Sequence, residues 1–137
     1  MYIGSTAKER PEDFIILEKG DTAHTVQALM NEKKVFNIII DERLIDNDIL
    51  NNFELKSIFQ QVEILYLNGF NIQSNAQLYS FEQLKCLEIF NCTFENKEII
   101  DFLKFNHLER IISPYSKLFV NLFNHPKLKT IMLENFN

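Results

Sequence analysis

Three histidines, two cysteines and three glycines bound the chemistry open to this chain of 137 residues. His24, His107 and His125 are scattered, and no H-E-x-x-H or Cys/His cluster occurs, so no metal centre is expected. Gly4, Gly20 and Gly69 cannot be assembled into a dinucleotide fingerprint, a phosphate-binding loop or a nucleophile elbow, so no cofactor is expected either. Cys86 and Cys92 form neither a C-x-x-C pair nor a disulfide framework and read as core thiols. Glu63 and Glu88 could approach each other as the paired acids of a hydrolase would, but solvated carboxylates on an open sheet are the plainer reading. Asn91-Cys92-Thr93 matches the glycosylation acceptor pattern, which matters only in a secreted chain. No catalytic residue emerges, and the chain is read as a non-enzyme.

Composition narrows the classes further. The formal charge is −5 and no basic block exists, so the footprint that exchanges for phosphate counterions is missing and direct nucleic-acid binding is disfavoured. A mildly acidic surface steers a basic protein partner toward it. No apolar run approaches a membrane span, and Met1 to Arg10 carry no basic segment followed by an apolar stretch. The expectation is a cytoplasmic monomer forming a single domain over 1–137, with no membrane partner.

The elements come from a spacing. Leu84, Leu87, Ile89, Cys92 and Phe94 fill L-x-x-L-x-L-x-x-N/C-x-L at slots one, four, six, nine and eleven. Val62, Leu65, Leu67, Phe70 and Ile72 fill the same slots. Val35, Ile38, Ile40 and Ile45 fill four of them, with Arg43 in the ninth. Leu108, Ile111 and Leu118 follow, with Ser113 and Ser116 as polar intruders, and Leu128, Ile131, Leu133 and Phe136 make a last partial copy. Successive starts lie 27, 22, 24 and 20 residues apart. Phe59, Phe81 and Phe105 each stand three residues before a start. Residues 1–34 read as an N-terminal cap: a strand at Phe14–Leu17, then a helix capped by Asp21 or Thr22 with Ala23, Val26, Leu29 and Met30 on one face. The returns between strands read as helical: 47–59 behind Asn47 or Asp48, a single turn at Ser74–Phe81, Ile99–Leu103 behind Asn96, and Phe119–Phe123 behind Ser116.

This frame resembles the leucine-rich-repeat superfamily over residues 35–137, most specifically at Leu84–Phe94. The resemblance implies an α/β fold: a short, irregular solenoid with a single parallel sheet of about five or six strands and helices or turns on the other face. It also implies protein binding through the strand face, at slots three, five and seven. Those slots hold an apolar centre (Ile39, Ile64, Tyr66, Phe90, Ile112, Met132) with carboxylates at the margin. The partner-binding set expected is Asp41, Glu42, Glu63, Tyr66, Asn68, Glu88, Phe90, Arg110, Tyr115 and Glu134. An alternative is that the N-terminal segment folds over this face.

An acidic, stand-alone chain without catalytic motifs also resembles bacterial toxin-immunity proteins of the contact-dependent-inhibition type. That resemblance implies stoichiometric blockade of a cognate toxin, often a basic nuclease domain. An adaptor or substrate-recognition role is the competing reading, and a small hydrolase a third.

Overall fold

Short runs of Ile, Leu and Val form strands because branched side chains pack well on a pleated surface. The computed structural model describes residues 13–95, 100–113, 120–121, 127 and 130–133. In chain order these form β1 (Ile15–Ile16), α1 (Ala23–Lys33), β2 (Asn37–Asp41), 3-10 turns at Asn47–Asn51 and Phe53–Leu55, α2 (Lys56–Phe59) and β3 (Ile64–Asn68). There follow β4 (Asn71–Ile72), α3 (Ala76–Tyr79), β5 (Cys86–Phe90), β6 (Thr93–Phe94), β7 (Ile100–Asp101) and a 3-10 turn at Phe102–Lys104. The last are β8 (Arg110–Ser113), β9 (Val120–Asn121) and β10 (Thr130–Leu133).

The fold is mixed α/β around a six-stranded parallel sheet in the order β1-β2-β3-β5-β8-β10, so its strands follow chain order. The register aligns Ile15, Ile38, Leu65, Leu87, Ile111 and Ile131 across it. The last five are the slot-four residues of the sequence frame. Two small parallel pairs, β4 with β6 and β7 with β9, form separate two-stranded sheets.

Period-two alternation sends slots four and six to one side, where Ile38, Ile40, Leu65, Leu67, Leu87 and Ile89 are all 0 % exposed. Val62, Leu84 and Leu108 close the same core, and fully burying each such side chain contributes roughly 1.5–3 kcal/mol. Phe59, Phe81 and Phe105 are buried there too. The first two rings stack with centroids 4.8 Å apart, and Tyr79 tilts against Phe105 at 5.7 Å. Helix α1 begins at Thr22, whose side chain accepts from Thr25 N while Thr25 Oγ1 accepts from Thr22 N. It buries Val26 and Met30 in the core, while Leu29, expected on that face, is exposed.

Gly69 and Asn91 occupy the same slot, the eighth, one residue past β3 and β5. Both take a left-handed backbone, at φ 85° and 54°. Glycine and asparagine are the residues that adopt it at least cost.

The returns differ from expectation. The helix expected over 47–59 is divided into two 3-10 turns and the four residues of α2, because Asn52 adopts an extended conformation between them and caps Glu54 N. Ile100–Asp101 and Val120–Asn121 are paired strands rather than parts of helices, a fit to their β-branched residues. The single turn expected near Ser74–Phe81 is α3. Leu118, Phe123, Leu128 and Phe136 lie outside the described residues.

Candidate functional site

The opposite side of the sheet carries the residues expected to bind a partner. Slot five places Ile39, Tyr66, Glu88 and Ile112 side by side, and slot seven places Asp41, Asn68 and Phe90. Tyr66 and Phe90, on neighbouring strands, stack at 4.8 Å with 27° between ring planes. Phe14, Ile39 and Tyr66 form an apolar cluster against which Ile64 and Phe90 pack.

A polar row crosses the sheet beside it. Asn91 Nδ2 donates to Asn68 Oδ1 at 3.1 Å, and Asn68 Nδ2 donates to Asp41 Oδ1 at 3.2 Å. Asp41 also accepts from the backbone N–H of Arg43 at 3.1 Å and from Arg43 Nε at 3.0 and 3.1 Å. The Arg43 hydrogen bond holds the Asp41 carboxyl below its ordinary value, outweighing the opposing effect of burial. The Tyr66 phenol is pushed up, first by burial and then by the charges of Asp41 and Glu88. At the other end of the strands Lys85 Nζ lies 3.5 Å from Glu63 Oε1.

This face is not the open apolar surface expected from the sequence. Ile39 and Tyr66 are 5 % and 6 % exposed, and Glu88 and Ile112 are 0 % and 1 % exposed. Asp41 is buried as well. The correction therefore falls on Tyr66, Glu88 and Asp41, which are core groups of a second layer rather than accessible contacts. Its physical reason is that a parallel sheet with apolar side chains on both sides is stable when both sides are covered. The signal was present in Ile38-Ile39-Ile40 and Ile64-Leu65-Tyr66-Leu67, near-continuous apolar runs of the kind that mark strands buried on both faces.

What stays accessible is a margin. Glu42 and Arg43 are exposed, and Glu63, Ile64, Asn68, Phe90 and Arg110 are half-buried. Tyr115 and Glu134 lie outside the described residues. Sequence reasoning missed two participants: Arg43, read only as a misfit in the ninth slot, and Phe14, which reaches the second layer from the residue before β1. The Asp41-x-Arg43 spacing, a carboxylate and a guanidinium two residues apart at a strand end, was the available clue to the first.

Glu63 pairs with Lys85 while Glu88 is fully buried, so the two acids do not face a common opening. His24 is exposed on α1 and His107 half-buried in a turn, while His125 lies outside the described residues. Among the described residues no group of three His, Cys, Asp or Glu side chains could hold a metal ion, and no helix is long and apolar enough to cross a membrane. The Cys92 thiol, donating toward the Phe90 and Leu67 carbonyls, is pushed up to about 11 by burial. A separate cleft of about 420 Å³ lies at the turn after β1, with Glu18, Asp21, Asp46 and Asp48 around Ile45 and Ile49. Comparison with protein families, characterised proteins and solved structures gives no match to this chain.

Proposed function

We propose that this chain is a non-catalytic protein-binding module built as a short leucine-rich-repeat-like solenoid. One observation carries the reading: five strands, 20 to 27 residues apart in sequence, align with slot four opposite slot four throughout. A repeated strand frame of that spacing is what the repeat architecture requires, and such proteins present the strand side and its margins to partners. The contact surface is the accessible margin at the carboxyl ends of the strands, Glu42, Arg43, Asn68 and Phe90, while Glu63, Ile64 and Arg110 lie at the opposite strand ends.

The partner is a basic protein domain, and the role is stoichiometric neutralisation, as an immunity protein blocks a toxin in the cytoplasm. The charge of −5 favours such an encounter, and the half-buried Phe90 ring offers the aromatic anchor on which affinity concentrates. Immobilised wild-type chain should capture one basic polypeptide at a 1:1 ratio and suppress whatever activity that polypeptide has. Capture of several weak partners with no inhibition would instead identify an adaptor.

A further inference from the structure

We propose that Asn68 is a latent deamidation site, held inert while β3 stays paired to both its neighbours and converted irreversibly to an acid when that pairing opens. Gly4, Gly20 and Gly69 follow Ile3, Lys19 and Asn68, so Asn68-Gly69 is the one Asn-Gly pair in the sequence. The reaction needs no enzyme and no partner. The Gly69 amide nitrogen, having lost its proton, attacks Asn68 Cγ. The new C–N bond closes a five-membered imide, the Cγ–Nδ2 bond breaks, and the side-chain nitrogen leaves as ammonia. Water then opens the imide at one carbonyl or the other, leaving an aspartate or an isoaspartyl linkage at position 68. Glycine favours the attack because it carries no side chain to crowd its nitrogen.

The fold itself demands that glycine. Its backbone is left-handed, and a Cβ at position 69 would overlap Glu42 Cγ, so the reactive pair cannot be relieved there without strain. The same surroundings block ring closure. Closure must bring Asn68 Cβ and the Gly69 nitrogen to one side of the Asn68 Cα–C bond, away from the extended conformation of the last residue of β3. That rotation would break both bonds of the 68–69 peptide unit. The Asn68 carbonyl accepts from Glu42 N–H at 3.0 Å, and Gly69 N–H donates to the Phe90 carbonyl at 2.9 Å. The carboxamide is held as well, its Oδ1 by Asn91 Nδ2 at 3.1 Å and its Nδ2 by Asp41 Oδ1 at 3.2 Å. Nucleophile, peptide plane and leaving group are thus fixed from either side of β3. Conversion is one-way in its effect too. An aspartate at position 68 replaces the donor to Asp41 with a second carboxylate, and an isoaspartyl linkage adds a carbon to the main chain at the end of a central strand.

Incubation of the full chain at pH 8, in buffer and in concentrated guanidinium chloride, tests this. Mass spectrometry of the tryptic fragment 57–85 reads the amide-to-acid conversion, with fragmentation to locate it at Asn68. The folded chain should convert Asn68 about tenfold or more slowly than the unfolded chain. Asn91→Gly, which keeps the left-handed turn and drops the bond to Asn68, should speed conversion in buffer about threefold or more and leave the denaturant rate unchanged. Asn68→Asp, the direct product, should lower the urea midpoint at pH 7. The proposal is overturned if Asn68 converts equally fast folded and unfolded, or stays intact in denaturant. It is equally overturned if Asn91→Gly alters both rates alike or neither, or if Asn68→Asp is as stable as wild type. The wild-type comparison decides the first point even where a variant folds poorly.

Discussion

At the scale of single residues, Asp41 is a buried charge whose partners are on view. Its carboxylate is buried and accepts from Arg43 and Asn68, and its pKa is lowered from 3.8. A lowered folded-state value means stability that is fully present above the unfolded value and is lost as pH falls through about 3.8 toward the folded one. Arg43 is shifted upward and stays charged throughout, so it adds no pH dependence of its own. Asp41→Asn should therefore lower stability by about 1 kcal/mol at pH 7, discounted because Arg43 is largely solvated. Urea midpoints measured from pH 6 to pH 2.5 should drop less steeply for the variant than for wild type, and parallel curves would refute the assignment. Asn91 provides a backbone counterpart. Its left-handed conformation makes Asn91→Ala cost about 1–2 kcal/mol, while Asn91→Gly, losing only the bond to Asn68, should cost less. Equal losses for the two would place the whole effect in the side chain.

At the scale of elements, the strands of the main sheet were legible and most of their returns, the turn at α3 excepted, were not. Slots four and six recur with a period of two inside a longer period, so Leu65, Leu67, Leu87 and Ile89 announce their direction from sequence alone. The returns carry no such double constraint. The apolar residues of 49–59 suit helix spacing, yet Asn52 interrupts them locally, and Ile100 and Val120 sit in strands that need partners far along the chain. The phenylalanine three residues before the starts at Val62, Leu84 and Leu108 was the better guide, because position relative to a strand start survives irregular returns. Phe81 shows what that position contributes: it is 0 % exposed and its ring stacks on Phe59 of the neighbouring return. Phe81→Ala should lower unfolding free energy by about 3–4 kcal/mol through the lost transfer and the cavity left behind. Chemical denaturation checks this. A loss under about 1 kcal/mol would mean that the site collapses and the rings do not brace successive returns.

At the scale of the whole molecule, alternation says which side of a sheet a residue faces but not what lies above it. The candidate site was legible as a set of neighbours and misread as a surface. Tyr66 and Phe90 stack on each other, yet they belong to different environments: Tyr66 is 6 % exposed inside the second layer, and Phe90 is half-buried at its margin. That difference separates folding from binding. Tyr66→Ala removes a packed ring and should lower stability by about 3 kcal/mol, with any loss of partner binding following from unfolding. Phe90→Ala leaves one side of its ring site already open to water, so its stability should fall by about 1 kcal/mol. Its affinity for the captured basic partner should weaken by about 2 kcal/mol, as loss of an aromatic anchor does. Thermal unfolding and titration calorimetry on the two variants resolve the split. If Phe90→Ala binds as tightly as wild type, the margin of the sheet is not the contact surface. The acidic cleft at the turn after β1 then becomes the next place to map.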